Sequence, residues 1–404
     1  MSLILVVITI CVVVMALHWL PSGFSHAIVV LGSVATIGAA IITCSGALVI
    51  LRYQQGLRGK EDIFLKLNRS REPGMILTSP VNQRTSLRRW LAQRFLGHDL
   101  VVGDLVEVKT WDEIRATLDA QGCLDQLPFM PEMLSMCGKR ARVFRCMHRL
   151  FDYRKTRRMR HMDGAVLLVG IMCDGASHGN CEAACHTIWK SSWLKRIDQS
   201  KDGSISSETT LSLQGTEILQ YGTQAPNYAC QLTQLNAASM PIGKWSLVNF
   251  FRPLVSGNVA PLAFIVGWLT HLFNEIQHQR QGVGYPQFTD IERDPEQYDG
   301  PQLKVGDHVI IRSPAQIRAT LNDNLEHRGM GFETDMLKYC GQRHTVQLEI
   351  RKLIDIVTGE MRTMKTPAYL LQGIHFSGER QQFNAQYEPL FWRAAWMRRD
   401  GTEL

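Results

Sequence analysis

The sequence lacks the residue patterns that identify most hydrolases and nucleotide-binding proteins. In its 404 residues, no pair of carboxylates, no Ser/His/Asp set and no phosphate-cradling glycine loop stands at a spacing typical of an active site. Charged residues are absent from the first 51 positions. No basic residue precedes the first apolar run, which argues against a secretory signal because such signals begin with basic residues. The sequence therefore defines no reaction.

Two long apolar runs occupy this uncharged N-terminal part. Residues 3–20 are interrupted only by Thr9 and His18, and residues 27–51 form a second run. A helix needs about 20 apolar residues to cross a membrane, so the runs predict a transmembrane helical hairpin over residues 1–52. A cleaved signal followed by a single span is the alternative.

A basic segment follows the apolar runs. Residues 52–100 contain ten Lys or Arg and four Asp or Glu, whereas the turn between the runs contains no Lys or Arg. Basic residues stay on the cytoplasmic side of a membrane, so we expect the rest of the chain to face the cytoplasm from a bacterial inner membrane. Residues 53–100 would then be a juxtamembrane linker that contacts anionic lipid or only fixes the topology.

The remaining sequence contains an internal duplication. Residues 102–197 and 305–400 align at a constant offset of 203 positions without a gap. Matching segments include Val102-Gly103-Asp104 with Val305-Gly306-Asp307, and Trp189 and Trp193 with Trp392 and Trp396. The alignment predicts repeat 1 over residues 101–198 and repeat 2 over residues 301–400. A linker with a strand and an apolar helix, residues 199–300, joins them.

Local patterns predict an α+β fold for each repeat. A Gly-Asp pair leads into an alternating strand, and the capping boxes Thr110/Glu113 and Ser313/Gln316 predict a short helix after it. The paired tryptophans are four residues apart, which predicts a closing helix with both rings on one face, most simply in the core. These features favour tandem SH3-like small β-barrels with inserted and C-terminal helices; a generic α+β unit is the alternative.

Repeat 1 alone contains a cluster of Cys and His residues. Cys181 and Cys185 are four apart, which predicts a helix with both thiols on one face, and Cys173 and His178 precede them. Three thiolates and an imidazole are ligands that structural zinc prefers. Cys230 could replace His178, and four cysteines would also suit an iron–sulfur cluster. The alternative is that these side chains are inert or redox-active thiols packed against the tryptophans.

Repeat 2 has lost the candidate ligands. Phe376, Gln381, Asn384 and Glu388 stand where Cys173, His178, Cys181 and Cys185 stand in repeat 1. Asn and Glu are poor core residues, so we expect that positions 181 and 185 do more than fill space.

A second basic stretch belongs to repeat 1. Residues 139–160 contain ten Lys or Arg and one Asp. This excess charge predicts contact with an anionic partner such as RNA, lipid headgroups or glycans; a solvated strand face is the alternative. The candidate contact residues are Lys139, Arg140, Arg142, Arg145, Arg149, Arg157 and Arg158.

Several of these motifs together resemble a bacterial family with no assigned function. The motifs are Gly103-Asp104, Pro131-Glu132-Met133-Leu134, Cys137-Gly138, Cys173-Asp174-Gly175, His178, Cys181, Cys185, Trp189-Lys190 and Trp193-Leu194-Lys195-Arg196, with Tyr228-Ala229-Cys230-Gln231 and Ser256-Gly257-Asn258 in the middle. The resemblance covers residues 100–400 and implies an accessory role in the biosynthesis of surface polysaccharides or natural products. Relatives tend to have cysteines near positions 376 and 384, so the departure here argues against two equivalent sites.

Three functions follow as hypotheses. The first is a membrane-anchored accessory or interaction protein with a structural zinc site in repeat 1 and a protein partner. The second is a metal- or iron–sulfur-dependent enzyme or redox component in the same biosynthetic setting. The third, nucleic-acid binding, is disfavoured by the predicted membrane anchor. The sequence does not identify a small-molecule substrate.

Overall fold

An open antiparallel sheet forms the centre of each repeat in a computed structural model of the protein. The structure describes residues 90–94, 96–152, 156, 158–197, 216–219, 226–243, 247–282, 284–285, 300–376, 378, 382–386 and 389–401. The predicted hairpin over residues 1–52 lies outside these residues, as does most of the basic linker. Within the described ranges, no helix has both the length and the apolar character needed to cross a membrane.

Repeat 1 begins with a strand and a capped helix. Strand β1 is Leu105–Val108 and helix α1 is Trp111–Arg115. The Thr110 hydroxyl accepts the Glu113 N–H at 3.4 Å, and the Glu113 carboxylate accepts the Thr110 N–H at 2.9 Å. These reciprocal bonds satisfy N–H groups that a helix start leaves without partners, so the predicted capping box is confirmed.

The rest of repeat 1 is mostly strand. The strands are β2 (Cys123–Leu124), β3 (Leu127–Pro128), β4 (Arg140–Cys146), β5 (Leu150–Phe151), β6 (Met159–His161), β7 (Ala165–Met172), β8 (His186–Lys190) and β9 (Leu194–Arg196). A 3-10 helix over Pro131–Met136 precedes β4, and a second over Ser191–Trp193 joins β8 to β9.

The segment between the repeats is mainly helical and turn-like. It contains a 3-10 helix (Thr216–Leu219), strand β10 (Met240–Pro241), and helices α2 (Leu247–Val255) and α3 (Pro261–Gln279). The alternating pattern of residues 228–235 predicts a strand there, but residues 231–238 form successive turns, so this placement is wrong. Helix α3 stacks Phe264 on Phe383 of repeat 2 with ring centroids 5.4 Å apart, and it leaves Leu262 and Val266 exposed.

Repeat 2 contains corresponding elements in the same order, although β4 and β5 merge into one strand there, as do β6 and β7, and β8 has no counterpart among the described strands. They are β11 (His308–Ile311), α4 (Pro314–Ala319), β12 (Glu326–His327), β13 (Met330–Gly331), β14 (Arg343–Ile354), β15 (Met361–Leu371) and β16 (Met397–Arg399), with 3-10 helices over Thr334–Tyr339 and Ala394–Trp396. The register also repeats: Val106 pairs with Ala141, and Val309 pairs with His344. Both repeats belong to one compact unit.

The two sheets curl without closing. Their strand orders are β8-β7-β4-β1-β9 and β15-β14-β11-β16, with antiparallel pairing throughout. The two end strands of each order do not pair with each other in the described chain, so each repeat is a half-barrel.

The tryptophans form the centre of each core. Trp189, Trp193, Trp392 and Trp396 are 0% exposed, which confirms that they are core residues. They do not lie on a helix: Trp189 ends a strand segment, and Trp193 follows in the 3-10 turn. This turn brings the second ring back to the same core, so a spacing of four does not require an α-helix here.

The predicted fold class is therefore wrong. It combined SH3-like barrels, C-terminal helices and a transmembrane hairpin. The structure instead has half-barrels, places the tryptophans on a strand, an isolated bridge and two 3-10 turns, and contains no described helix suited to spanning a membrane. The predicted domain boundaries and the cytoplasmic location stay predictions.

A loop of each repeat forms a backbone hydrogen bond with the other repeat. The Glu182 N–H of repeat 1 donates to the Lys352 carbonyl at the end of β14, at 2.9 Å. The Ala385 N–H of repeat 2 donates to the Arg149 carbonyl of repeat 1 at 2.7 Å. These two bonds are related by the same offset of 203 positions. As a result, each repeat holds the loop that follows β7 or β15 in the other.

Candidate metal centre

The loop between β7 and β8 carries two of the predicted ligands. The Cys173 N–H donates to the Cys185 carbonyl at 2.7 Å and closes the loop at its base. Gly175 has φ +71°, and a Cβ at this position would overlap the Cys181 carbonyl, so the tight turn that follows Cys173 requires glycine. The His178 N–H donates to the Gly175 carbonyl at 3.1 Å. The turn thereby brings Cys173 and His178 to the same side of the loop.

A carboxylate that the sequence prediction missed completes this cluster. Glu132, in the 3-10 helix Pro131–Met136, has a side chain that is only 7% exposed. The Cys173 thiol donates to Glu132 Oε1 at 3.0 Å, and the Ser177 hydroxyl donates to Glu132 Oε2 at 2.6 Å. One signal was present in the sequence: Asp335 stands at the equivalent position of repeat 2, so both repeats have an acidic residue there.

Hydrogen bonds orient the His178 ring. Its Nδ1 lies 3.0 Å from Ser177 Oγ and 3.5 Å from Glu132 Oε1. Because the Ser177 hydroxyl donates to Glu132, its oxygen can accept from an Nδ1–H, which leaves Nε2 unprotonated. Nε2 lies 3.4 Å from Cys173 Sγ. The imidazole therefore presents its free lone pair toward the thiol, as a metal ligand does.

The three side chains have the spacing of ligands to one ion. One potential ligand atom from each of Glu132, Cys173 and His178 lies within 4.8 Å of the other two. Bond lengths to tetrahedral zinc place its sulfur and nitrogen ligands about 3.5 Å from each other, close to the 3.4 Å between Cys173 Sγ and His178 Nε2. This buried group can hold a metal ion.

The charge state of the metal-free cluster does not favour a nucleophilic cysteine. Burial, then the hydrogen bond and the charge of Glu132, raises the pKa of Cys173 well above its ordinary value. Burial lowers the pKa of His178, although Glu132 and Asp174 oppose this shift. A catalytic thiol needs a lowered pKa, whereas a bound cation would itself stabilise the thiolate.

The other predicted ligands lie outside this group. The Ile354 N–H donates to Cys181 Sγ at 3.4 Å, and Cys185 supplies the carbonyl that closes the loop. Residues 181–185 are not helical, and Ala184 has φ +49°, so the predicted helix with two thiols on one face is wrong. Within the described ranges, Glu132, Cys173 and His178 form the one such group of three or more possible ligands.

Cys230 lies on the turn-forming segment beside the loop. Its N–H donates to Thr233 Oγ1 at 2.9 Å, and burial raises the pKa of its thiol. Cys230 is partly buried and packs against the core of repeat 1. Ligand roles for Cys181, Cys185 and Cys230 stay predictions.

Both repeats position the Cys/His loop. The Glu182 carboxylate accepts the Arg351 N–H at 2.5 Å and the Lys352 N–H at 2.9 Å. The Tyr228 N–H donates to the Gly359 carbonyl at 2.8 Å in the β14–β15 turn. The hairpin of repeat 2 thus clamps the loop that carries Cys173 and His178.

Repeat 2 retains the acid but not the other ligands. Asp335 is buried, and Phe376 occupies the position of Cys173. Positions 381 and 388 lie outside the described residues. Asn384, the counterpart of Cys181, is 1% exposed, and its Oδ1 accepts the Gln386 N–H at 3.1 Å. A polar residue is therefore buried at this position in repeat 2, and the expectation that positions 181 and 185 do more than fill space stays a prediction.

The basic stretch of repeat 1 does not form one exposed surface. Arg149 is 3% exposed and donates to the Asn249 carbonyl at 2.9 Å, so it cannot contact an external anion in this structure. Arg140 pairs with Glu107 at 3.3 Å, and Arg145 lies over the Phe144 ring. Exposed positions are Lys139, Arg142 and Arg158, and Arg157 lies outside the described residues.

Comparison of the chain with protein-family models, curated proteins and solved structures finds no match. The resemblance described from the sequence motifs therefore stays a prediction.

Proposed function

We propose that repeat 1 is a zinc-binding module of an accessory or interaction protein, with Glu132, Cys173 and His178 as the ligands. The observation that carries this proposal is the mixed sulfur, nitrogen and oxygen set within 4.8 Å. The His178 and Glu132 side chains are 3% and 7% exposed. Burying a carboxylate is costly unless it is paired or coordinates a metal, so an ion would compensate for part of that cost.

The ligand types favour zinc over an iron–sulfur cluster. Zinc binds thiolate, imidazole and carboxylate together, whereas iron–sulfur clusters are held mainly by several cysteine thiolates. The group contributes a single sulfur, from Cys173.

The ion would hold the repeat 1 loop that repeat 2 also contacts. Glu132 precedes β4, Cys173 and His178 lie on the loop after β7, and the hairpin of repeat 2 grips the same loop through Glu182. A metal bound to these ligands would fix the position of the loop against repeat 2. We expect the ion to stabilise this position of the loop, and with it the surface that the two repeats offer to a protein partner.

An enzyme is the second candidate because the set has three members. Structural zinc sites have four protein ligands, whereas catalytic sites leave a fourth position for water or substrate. A water bound there would be activated by the ion. If removing zinc lowers the free energy of unfolding, the result supports the structural role. If the zinc-free protein stays folded but is inactive, the result supports the enzyme.

Metal analysis of the full-length protein tests the proposal. We expect about one zinc per chain, and a cobalt-substituted form with the intense near-ultraviolet band of a thiolate–cobalt bond. Cys173→Ser should lose both signals, while Cys340→Ser in repeat 2 should keep them as the matched control. Protein that binds no zinc from zinc-supplemented buffer contradicts the proposal, and brown iron-containing protein supports a cluster instead.

A further inference from the structure

Repeat 2 contains a large open groove. Its volume is about 1070 Å³, and its walls come from the end of α4, strands β12 and β13, the N-terminal half of β15 and residues 389–393. Repeat 1 has a similar fold, so the residues of repeat 1 that match the groove at the offset of 203 show which kind of segment can bind there.

In repeat 1, the chain's own linker fills this place. Leu219, Leu235 and Ala238 are buried in the repeat 1 core. Strand β10 pairs with the edge of β6, with Met240 opposite His161. The groove of repeat 1 is therefore closed by residues 216–219 and 230–241, which contribute apolar side chains and one short strand.

One polar side chain anchors the linker in repeat 1. Gln231 is 5% exposed, and its Oε1 accepts the Ile188 N–H at 2.7 Å. Its Nε2 donates to the Ile188 carbonyl at 2.8 Å and to the Pro128 carbonyl at 3.0 Å, and lies 3.5 Å from Met133 Sδ. The carboxamide thus satisfies the outward-facing backbone of β8, which is the edge strand of its sheet.

The groups that hold Gln231 all have counterparts in the wall of the repeat 2 groove. At the offset of 203, Ile188, Pro128 and Met133 correspond to Phe391, Gly331 and Met336, and each of these lines the groove. His161, which pairs with the linker strand, corresponds to Met364, also in the wall. Strand β15 is the edge of its sheet. Trp392 bridges its outer side at Tyr369, but none of the described strands pairs with that side near Met364.

We propose that the repeat 2 groove binds a segment of a partner protein, and that this segment presents a glutamine side chain among small apolar residues. The glutamine carboxamide would bond the backbone of Phe391 and Gly331, as Gln231 bonds Ile188 and Pro128. The adjoining residues would add a short strand to the edge of β15 near Met364. Strand addition to an open sheet edge, with pockets for alternate side chains, is a recurrent mode of peptide recognition. This inference is independent of the metal site.

Binding of a peptide to the full-length protein tests the inference. The probe is a fluorescein-labelled peptide with the sequence of residues 228–241, carrying serine in place of Cys230, measured by fluorescence polarisation. We expect saturable binding. A peptide with Gln231→Leu should bind about tenfold more weakly, because it leaves buried backbone groups without partners.

A matched pair of protein variants locates the binding. A Cβ at Gly331 or at Gly243 would meet no atom within 4 Å, so either glycine can accept a larger side chain. Gly331→Trp should fill the groove and abolish binding, whereas Gly243→Trp should leave it unchanged. The peptide variant requires no change in the protein, so its result stands even if Gly331→Trp does not fold.

Three results with the labelled peptides would overturn the inference. They are the absence of saturable binding, equal affinity of the two peptides, and binding that Gly331→Trp leaves intact while the variant is folded. A concentration-dependent dimer that Gly331→Trp dissociates would also overturn it, since a second copy of the chain would then fill the groove.

Discussion

Gln231 is the residue whose replacement should reveal most about how the linker stabilises repeat 1. We consider Gln231→Leu, which keeps the volume of the side chain and removes its polar atoms. Three hydrogen bonds to buried backbone groups would be lost, namely those to the Ile188 N–H, the Ile188 carbonyl and the Pro128 carbonyl. Ile188 is 1% exposed, so water cannot replace these partners.

The magnitude follows from the number of bonds. A typical hydrogen bond contributes about 1 kcal/mol net, and a buried group left without a partner costs about 1–3 kcal/mol. Three such losses should lower the free energy of unfolding by about 3 kcal/mol. The compact unit spans Pro80–Leu404, and for a unit of that length this change corresponds to a fall of about 4–5 °C in the melting temperature.

Thermal unfolding followed by circular dichroism measures the change. Gln234→Leu is the matched control, because Gln234 is half-buried and its Nε2 makes only a long, 3.5 Å contact with Thr233 Oγ1. We expect the control to lose less than about 1 kcal/mol. Equal melting temperatures for the two variants would refute the view that the carboxamide anchors the linker.

Three further predictions concern pH and the Cys/His loop. Burial lowers the pKa of His186 to about 4, so the folded state resists protonation of this ring. The contribution of His186 to stability should be full above about pH 6.5 and should fall as the pH decreases toward 4. His186→Phe should flatten this part of a plot of melting temperature against pH. Glu182→Gln should weaken two hydrogen bonds from backbone N–H groups of β14 and lower the free energy of unfolding in urea by about 1 kcal/mol. An unchanged urea midpoint would contradict the view that Glu182 holds the loop against repeat 2. Gly175→Ala should lose zinc, because its Cβ would overlap the Cys181 carbonyl. Gly170 has the same φ of +71° but open space around a Cβ, so Gly170→Ala should retain zinc in metal analysis. Equal zinc content in the two variants would contradict the requirement for a tight turn at Gly175.

Local chemistry determined the parts of the fold that the sequence predicted. The duplication is visible residue by residue, and the capping boxes at Thr110 and Ser313 are formed by neighbouring residues. The tryptophan spacing was ambiguous because a strand followed by a 3-10 turn returns to the same core as a helix does. Cys181 and Cys185 have a helical spacing, but positive φ at Ala184 and the clamp from repeat 2 hold them in a loop.

The candidate site was only half predictable because its members are far apart in the sequence. Cys173 and His178 share one loop and were identified as ligands. Glu132 lies 41 residues before Cys173, and only the packing of the 3-10 helix against the loop brings it there. The retained acid at Asp335 was the one sequence signal for this position, and it became meaningful once the geometry was known.

The central claim is that Glu132, Cys173 and His178 bind one zinc ion. X-ray absorption at the zinc edge of the full-length protein tests it most directly. We predict one sulfur ligand at about 2.3 Å from the zinc, with the remaining ligands nitrogen or oxygen at about 2.0 Å. The sulfur contribution should be lost in Cys173→Ser. A shell of three or four sulfurs, or a spectrum that Cys173→Ser leaves unchanged, would contradict the assignment.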